Sequence, residues 1–567
     1  MTVALTPTPT PTDITRFYRH NEMTDILQGL AAGFPTLCSI ESMGQSYEGR
    51  DLWVLTITNT ATGPAGEKPA MYIDGNIHAG ELTGCNVALS TAERLLFGYG
   101  SDEEITHLLD TSAVYIAPRV QPDGAEKYMT TPYTLRSSVR HWPETEQDSG
   151  LTPQDLNDDG LILQMRVPDP RGEWRISAHD PRLMVKRAPD EMTAEGGFFR
   201  LYTEGLLHEW TRGPVKLART LEGLDLNRNW PANWSPLQRG GGPFPLSEPE
   251  TRAVAAFISA HPNISIAQNY HTTGGVILRA PCAVGDNAVP PRDKDLYSAV
   301  GELGEAITGY PCSSVHDSFQ EVDDAGRRSQ SGGFIEWTYD HLGILSFATE
   351  LWDIQSRAGI ERPKNDPMRT MRVQTEEDGL KLLAFNDEQL GGRGFVAWAP
   401  FEHPQLGAVE IGGWKSKEVR QNAPAEFLED ECERNSAYSI RQGLMLPRLV
   451  IDSVETEAVS DDLHIVRAHV SNHGYLSTSA TDQAQRVNAV TPVTVEIEGA
   501  GEVLLGQRRQ SLGQLQGRFS ARGMMFAYGM AKVDNERMVE WLVRGTGNVT
   551  IVARGQRSGV ARCEVAL

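Results

Sequence analysis

Four short apolar runs, each followed by a turn carrying titratable side chains, constrain this chain more than any other feature. They are Ala70–Asp74 ahead of Gly-Asn-Ile-His-Ala-Gly-Glu, Ala113–Ala117 ahead of Pro-Arg-Val-Gln-Pro-Asp-Gly, Ile264–Ala267 ahead of Asn-Tyr-His, and Ile344–Ala348 ahead of Thr349 and Glu350. Runs of this length without polar alternation read as strands buried on both faces. Helical patterns lie between them, over residues 81–97 and 247–261, the latter with Pro249 at its first turn. A further strand is expected over 52–57, and helices over roughly 22–31 and 369–386. Strands alternating with helices predict an α/β fold, a mixed twisted sheet with helices on both faces.

The chain's 567 residues exceed one domain. Its C-terminal part reads differently, with β-rich runs at 449–458, 464–474, 492–499, 538–545 and 548–555 separated by turn residues. These predict an antiparallel β-sandwich of immunoglobulin-like type. Residues 447–567 carry 13 basic and 13 acidic side chains, so the whole formal charge of −23 falls on residues 1–446. The expected division is an extended Thr/Pro tail over 1–13, a catalytic domain over 14–446 and the sandwich over 447–567. Within the catalytic domain, the polar stretch 143–222 shows little periodicity and is expected to be an insertion over the surface.

Composition removes several classes. An excess of 23 negative charges is the wrong sign for displacing counterions from nucleic acid. No run of 18 apolar residues is present to form a membrane-spanning helix. Six Cys without paired short spacing disfavour a disulfide scaffold and a Cys-rich zinc module, and Cys85 reads as core. The N-terminus lacks a basic segment followed by an apolar one, so a cytoplasmic location is expected.

His78 and Glu81 stand at a strand-to-helix junction, where residues three apart converge on one point. His271 follows another buried strand and can reach the same sheet edge. Together they supply two imidazoles and one carboxylate, the donors of a zinc site with an open position. Glu350 ends a buried strand, where a carboxylate is costly unless it is paired, hydrated or working beside a metal. In the insertion, Asp155, Asn157 and Asp159 followed by Gly160 match the start of a calcium-binding loop. Position twelve is Arg166 rather than a bidentate Glu, so the run reads either as a calcium site or as a solvated Asx-rich turn.

The chain resembles the zinc metallocarboxypeptidases related to carboxypeptidase A. The resemblance rests on SMGQSYEGRDLWVL (42–55), GNIHAGE, PRVQPDG, DLNRNWP (225–231), SEPET, NYH, SGGFIEWTY (331–339) and the Glu350 strand, in matching order over most of residues 17–350. It implies that His78, Glu81 and His271 hold zinc and that Glu350 is the general base. It implies that Arg136 supports the oxyanion, with Arg140 as the alternative, and that Asn227 and Arg228 bind the substrate's terminal carboxylate.

Two positions depart from the family pattern. Arg328 stands where the family has a mobile tyrosine, and Gly80 where some relatives carry another carboxylate-binding arginine. The position resembling the specificity-determining residue is the apolar Ile335. The implied substrate is a peptide with a free C-terminus. A zinc amidohydrolase acting on small acylated amino acids or peptidoglycan-like peptides is the alternative enzyme. A non-catalytic binding protein on the same scaffold is the third reading.

Overall fold

The computed structural model describes residues 10–210, 213–319, 330–362, 374–499, 501–521 and 534–567. Its centre is an eight-stranded sheet. The strands are β1 (Cys38–Gln45), β2 (Asp51–Ile57), β3 (Ala70–Gly75), β4 (Ala113–Ala117), β5 (Ile264–Thr272), β6 (Val276–Arg279), β7 (Cys312–Ser314) and β8 (Leu345–Leu351). They lie in the order β1-β2-β4-β3-β5-β8-β6-β7. The middle four, β4, β3, β5 and β8, run parallel, and antiparallel pairs flank them. The sheet is thus mixed, as the buried runs predict.

Alternate side chains along these strands enter two cores. Met71, Ile73, Ile266 and Phe347 face one layer with the helices His20–Gly33, Thr83–Gly98, Pro291–Thr308 and Ala425–Gly443. Tyr72, Ala267 and Ala348 face the other with Pro249–Ala260 and Phe334–Asp340. The period of two along a strand makes this division. The helix expected near 369–386 spans Glu376–Gln389, and residues 363–373 lie outside the described residues. Of the expected Thr/Pro tail, residues 1–9 also lie outside them. Thr12 donates its N–H to Glu93 at 2.9 Å.

The stretch 143–222 is more ordered than its sequence suggests. Its strands Gln164–Pro168, Phe199–Thr203, Trp174–Ile176 and Met184–Lys186 join Phe395–His403 and Gly407–Trp414 in a six-stranded sheet. Leu163, Met165, Val409 and Ile411 form a small core between the two chain segments. These strands are only three to five residues long, too short to show a period, and one of them pairs far along the chain, with Arg166 opposite Glu410.

The calcium reading of this insertion finds no support. Asn157 turns its amide N–H toward Asp159 at 3.1 Å, a donor where a cation would need an acceptor. Asp155 accepts from the Gly160 N–H at 2.8 Å, and Asp159 from Leu161 N–H at 2.8 Å. Arg166 is engaged by Glu410 at 2.7 Å. Asp155, Asn157 and Asp159 close an Asx-rich turn, which the buried Glu204 completes by accepting from the N–H groups of Leu156 and Leu163.

The C-terminal part holds two four-stranded antiparallel sheets. One is ordered Leu449–Ser460, Leu463–Asn472, Glu536–Arg544, Glu502–Leu505. The other is ordered Arg509–Gly513, Val493–Gly499, Asn548–Gly555, Gly559–Ala566. Val466, Ala468, Trp541 and Val543 of the first pack with Val495, Ile497 and Ile551 of the second, making a sandwich. Its turn Gly555–Gly559 enters the start of the central sheet. The buried Arg557 donates to Gly343 O at 2.9 Å, to Ser479 O at 3.0 Å and to Leu342 O. Its own carbonyl accepts from Ser265 Oγ at 3.3 Å. Arg562 grips Glu67 through two bonds of 2.8 Å. Gly343 has φ 61°, and a Cβ there would meet Ala484 of the sandwich at 2.3 Å, so glycine is required on both grounds.

Candidate active site

The C-terminal ends of β3, β5 and β8 converge on one cleft, the usual position for a site in a parallel sheet. After β3 the chain turns at Asn76, which adopts φ 60°. Asn tolerates this left-handed conformation, and its side-chain amide donates to His78 O at 2.7 Å and to Ala79 O at 3.2 Å. That turn presents His78 and Glu81 before the helix Thr83–Gly98 begins. On the neighbouring strands His271 and Glu350 are register partners, so their side chains leave the same face side by side.

His78, Glu81 and His271 are all buried, and one donor atom from each lies within 4.8 Å of the others. His78 Nδ1 is 2.8 Å from one Glu81 oxygen and His271 Nδ1 is 2.9 Å from the other. The two Nδ1 atoms are 3.1 Å apart. The far ring nitrogens decide the tautomers. His78 Nε2 faces a carboxylate oxygen of Asp225 at 3.2 Å. His271 Nε2 faces Asn269 Oδ1, whose amide N–H is in turn given to Asp74. Both partners are acceptors, so each Nε2 carries the proton and each Nδ1 presents a lone pair. Two lone pairs and a carboxylate meeting in a buried space repel one another unless a cation joins them. The donor set and its outer partners therefore fit zinc.

Asp225 has a second role. Its other oxygen accepts from Arg136 Nε at 2.9 Å, and Arg136 Nη1 lies 3.4 Å from Glu81. Burial works against both charges, but Arg136, Arg228 and His78 hold the Asp225 carboxyl well below the usual carboxylate range. The same carboxylates keep the Arg136 guanidinium charged. Burial is the main influence on Glu350 and pushes its carboxyl well up, with the charge of Glu81 adding to it and Arg136 and Arg228 opposing. Arg140 is engaged elsewhere, paired with the buried Glu248 at 2.9 and 2.5 Å. Of the two arginines read from the sequence, Arg136 is the one lining the cleft.

Asn227 and Arg228 sit on a short turn, Leu226–Arg228, and line the same cleft. Asp225 caps the turn by accepting from Asn227 N–H at 2.8 Å. Phe334 N–H donates to Asn227 Oδ1 at 2.8 Å, which leaves the amide nitrogen of Asn227 as its outward group. Trp230 anchors the turn from below. It is fully buried, stacked on Trp337 at 5.1 Å and edge-on to Phe334 at 5.1 Å. The cleft is also lined by Leu278, Cys282, Val315, Ile335 and Ala348. Glu336 lines it too, its carboxyl raised to about 7 by burial.

A family model described as zinc carboxypeptidase matches residues 23–366. The chain belongs to the zinc carboxypeptidase family. A second model, described as a domain of unknown function (DUF8731), matches residues 448–566. Among curated relatives of this zinc carboxypeptidase family member, carboxypeptidase A2 of Rattus norvegicus is 26% identical over 352 residues, 59% of this chain and 63% of the rat protein. Carboxypeptidase D of Drosophila melanogaster is 32% identical over 343 residues, 59% of this chain and 20% of that protein. The chain therefore spans less than two thirds of these relatives. Among solved structures, thrombin activatable fibrinolysis inhibitor aligns at 18% identity with a TM-score of 0.43, over 78% of this chain and 77% of that one.

Of the two departures from the family pattern, Gly80 stands next to Glu81 in the described structure. Arg328 lies outside the described residues. At Gly80 a Cβ would come within 2.6 Å of the Tyr128 ring, so that ring occupies the space a longer side chain would need. Three contributors escaped the sequence reading. Asp225 is the first residue of the DLNRNW motif and was legible there as an acid beside two cleft residues. Asn269, two positions before His271, and Asp74 at the end of β3 are buried polar residues on the strands that lead to the site. Burial raises the Asp74 carboxyl to about 7.

Proposed function

We propose that this protein is a zinc-dependent carboxypeptidase that releases C-terminal residues from peptides. One observation carries the reading: two imidazole Nδ1 atoms and the Glu81 carboxylate converge near Glu350 and Arg136, in a cleft also lined by Asn227 and Arg228. Zinc held by His78, Glu81 and His271 would supply Lewis acidity, making water nucleophilic near neutral pH and polarising a peptide carbonyl. The chain's own residues do the rest. Arg228, beside Asn227, grips the terminal carboxylate through charge-assisted bonds and sets which peptide bond lies over the metal site. Arg136, held by Asp225 through Nε, turns its remaining N–H groups to the oxygen on which negative charge develops. Glu350 takes a proton from the attacking water and returns it to the leaving nitrogen.

Removing Arg228 tests the exopeptidase assignment. The bond it makes is to a charge that would otherwise be stranded in a partly dry cleft, which makes it costly to lose. Arg228→Ala is expected to reduce kcat/KM for a free-acid peptide far more than for the matching C-terminal amide, whereas Arg136→Ala reduces both. Assays of one acid–amide pair on the wild type and the two variants measure this. Equal losses on acid and amide in Arg228→Ala, or a wild-type preference for the amide, would replace this reading with the amidohydrolase one.

A further inference from the structure

The segment 417–422 lies beyond the residues matched by the zinc carboxypeptidase model, yet it contacts the chain beside Glu81, beside His271, beyond Glu350 and ahead of Arg136. Asn422 is almost fully buried. Its amide donates to Gly80 O at 2.8 Å, and its oxygen accepts from Thr83 N–H at 3.1 Å. These two groups flank Glu81. Gln421 donates to Thr272 O at 3.1 Å and to Thr272 Oγ1 at 3.0 Å, immediately after His271. Val419 O accepts from the indole N–H of Trp352 at 2.9 Å, two residues beyond Glu350. The Lys417 ammonium donates to the carbonyls of Tyr128, Thr131 and Tyr133, on the approach to Arg136.

The local chemistry explains why such a strap is needed. The helix Thr83–Gly98 begins at the ligand loop, and its N-cap residue is Leu82, which has no side-chain acceptor for the first N–H groups. Asn422 supplies that acceptor from 339 residues away and uses its other end to hold the Gly80 carbonyl. Gly80 has no side chain with which to brace itself. The adjacent Gln421 fixes the other ligand loop, so two neighbouring residues hold Glu81 and His271 at a set separation.

We propose that Lys417–Asn422 is a positioning strap for the metal site, with Asn422 and Gln421 setting the distance between the Glu81 and His271 loops. The proposal rests on the zinc reading above. Outer partners of metal ligands typically contribute 10–100-fold to metal affinity, because a ligand free to swing must be ordered on binding.

The test uses the full-length protein. Apo wild type, Asn422→Ala, Gln421→Ala and His271→Ala are titrated with zinc against a competing chelator, and the thermal unfolding of each apo protein is recorded. Asn422→Ala and Gln421→Ala are expected to weaken zinc binding by roughly 10–100-fold and to recover turnover when zinc is raised to saturation. Variants that unfold earlier but bind zinc with wild-type affinity would show that the strap is structural only, and would overturn the inference. Gln421 is only partly buried, so its variant decides the matter should Asn422→Ala not fold. Failure of the wild type to bind zinc, or undiminished binding by His271→Ala, would overturn the zinc reading itself, and the inference with it. Tight wild-type binding lost in His271→Ala but kept in both strap variants would overturn the inference alone.

Discussion

Glu350→Gln is expected to keep its fold and its zinc and to lose turnover by roughly 10²–10⁴-fold, the usual contribution of a general base. The substitution changes almost nothing in shape. Glu350 is buried at the end of β8, and its backbone is fixed on both sides by strand pairing with His271 and Val276. An amide there occupies the same space and can still hydrogen-bond, but it cannot accept a proton from water and return it to an amine. Metal analysis and a thermal melt alongside the kinetic assay separate this outcome from misfolding. Near-normal turnover in Glu350→Gln would show that the carboxylate is a strand-end residue without a part in the chemistry.

His271→Ala is expected to lose most of the roughly one zinc per chain that the wild type should retain after dialysis, since a zinc site of this kind has only three protein ligands. The surroundings make the loss larger. Asn269 and Asp74 exist in this arrangement to orient the His271 ring, and without it the Asn269 oxygen faces an empty buried space. Glu81 would keep a single imidazole partner. Metal content by elemental analysis, with His78→Ala beside it, measures the effect. Full occupancy in both variants would exclude His78, Glu81 and His271 as the zinc site.

The parts of this protein that could be read from sequence share a physical property: they are local. The strand runs at 70–74 and 113–117 coincide with β3 and β4 to within a residue because uninterrupted apolar residues of strand length leave little else to form. The cleft residues His78, Glu81, Asn227, Arg228, His271 and Glu350 stand in short motifs at strand ends or turns, so their neighbours in sequence are also their neighbours in space. Arg136 was harder to separate from Arg140, and the partners of the two side chains, Asp225 and Glu248, distinguish them.

What could not be read depends on pairings across hundreds of residues. Arg166 opposite Glu410 and Asn422 against Thr83 leave no period in either segment. The insertion looked irregular because its strands are three to five residues long and one of them, Gln164–Pro168, finds a partner only in Gly407–Trp414. The Asp155 turn looked like a cation site because carboxylates that cap backbone N–H groups and carboxylates that bind calcium have the same spacing.

The turn around Arg557 carries one more consequence. Lys68 and Pro69 lead into β3, Ser265 lies at the start of β5, and Leu342 and Gly343 lead into β8; all of them meet the Gly555–Gly559 turn of the sandwich. These are the three strands whose opposite ends lead to His78 and Glu81, to His271 and to Glu350. Arg557 sits there without a carboxylate partner among the described residues, its guanidinium held by carbonyls and its pKa lowered to about 10 by burial. Cut at Leu446, the chain would leave those carbonyls and the foot of the sheet uncovered. The line along which its sequence divides into two families is therefore not a line along which the molecule comes apart, and the N-terminal half on its own is half of a shared foundation.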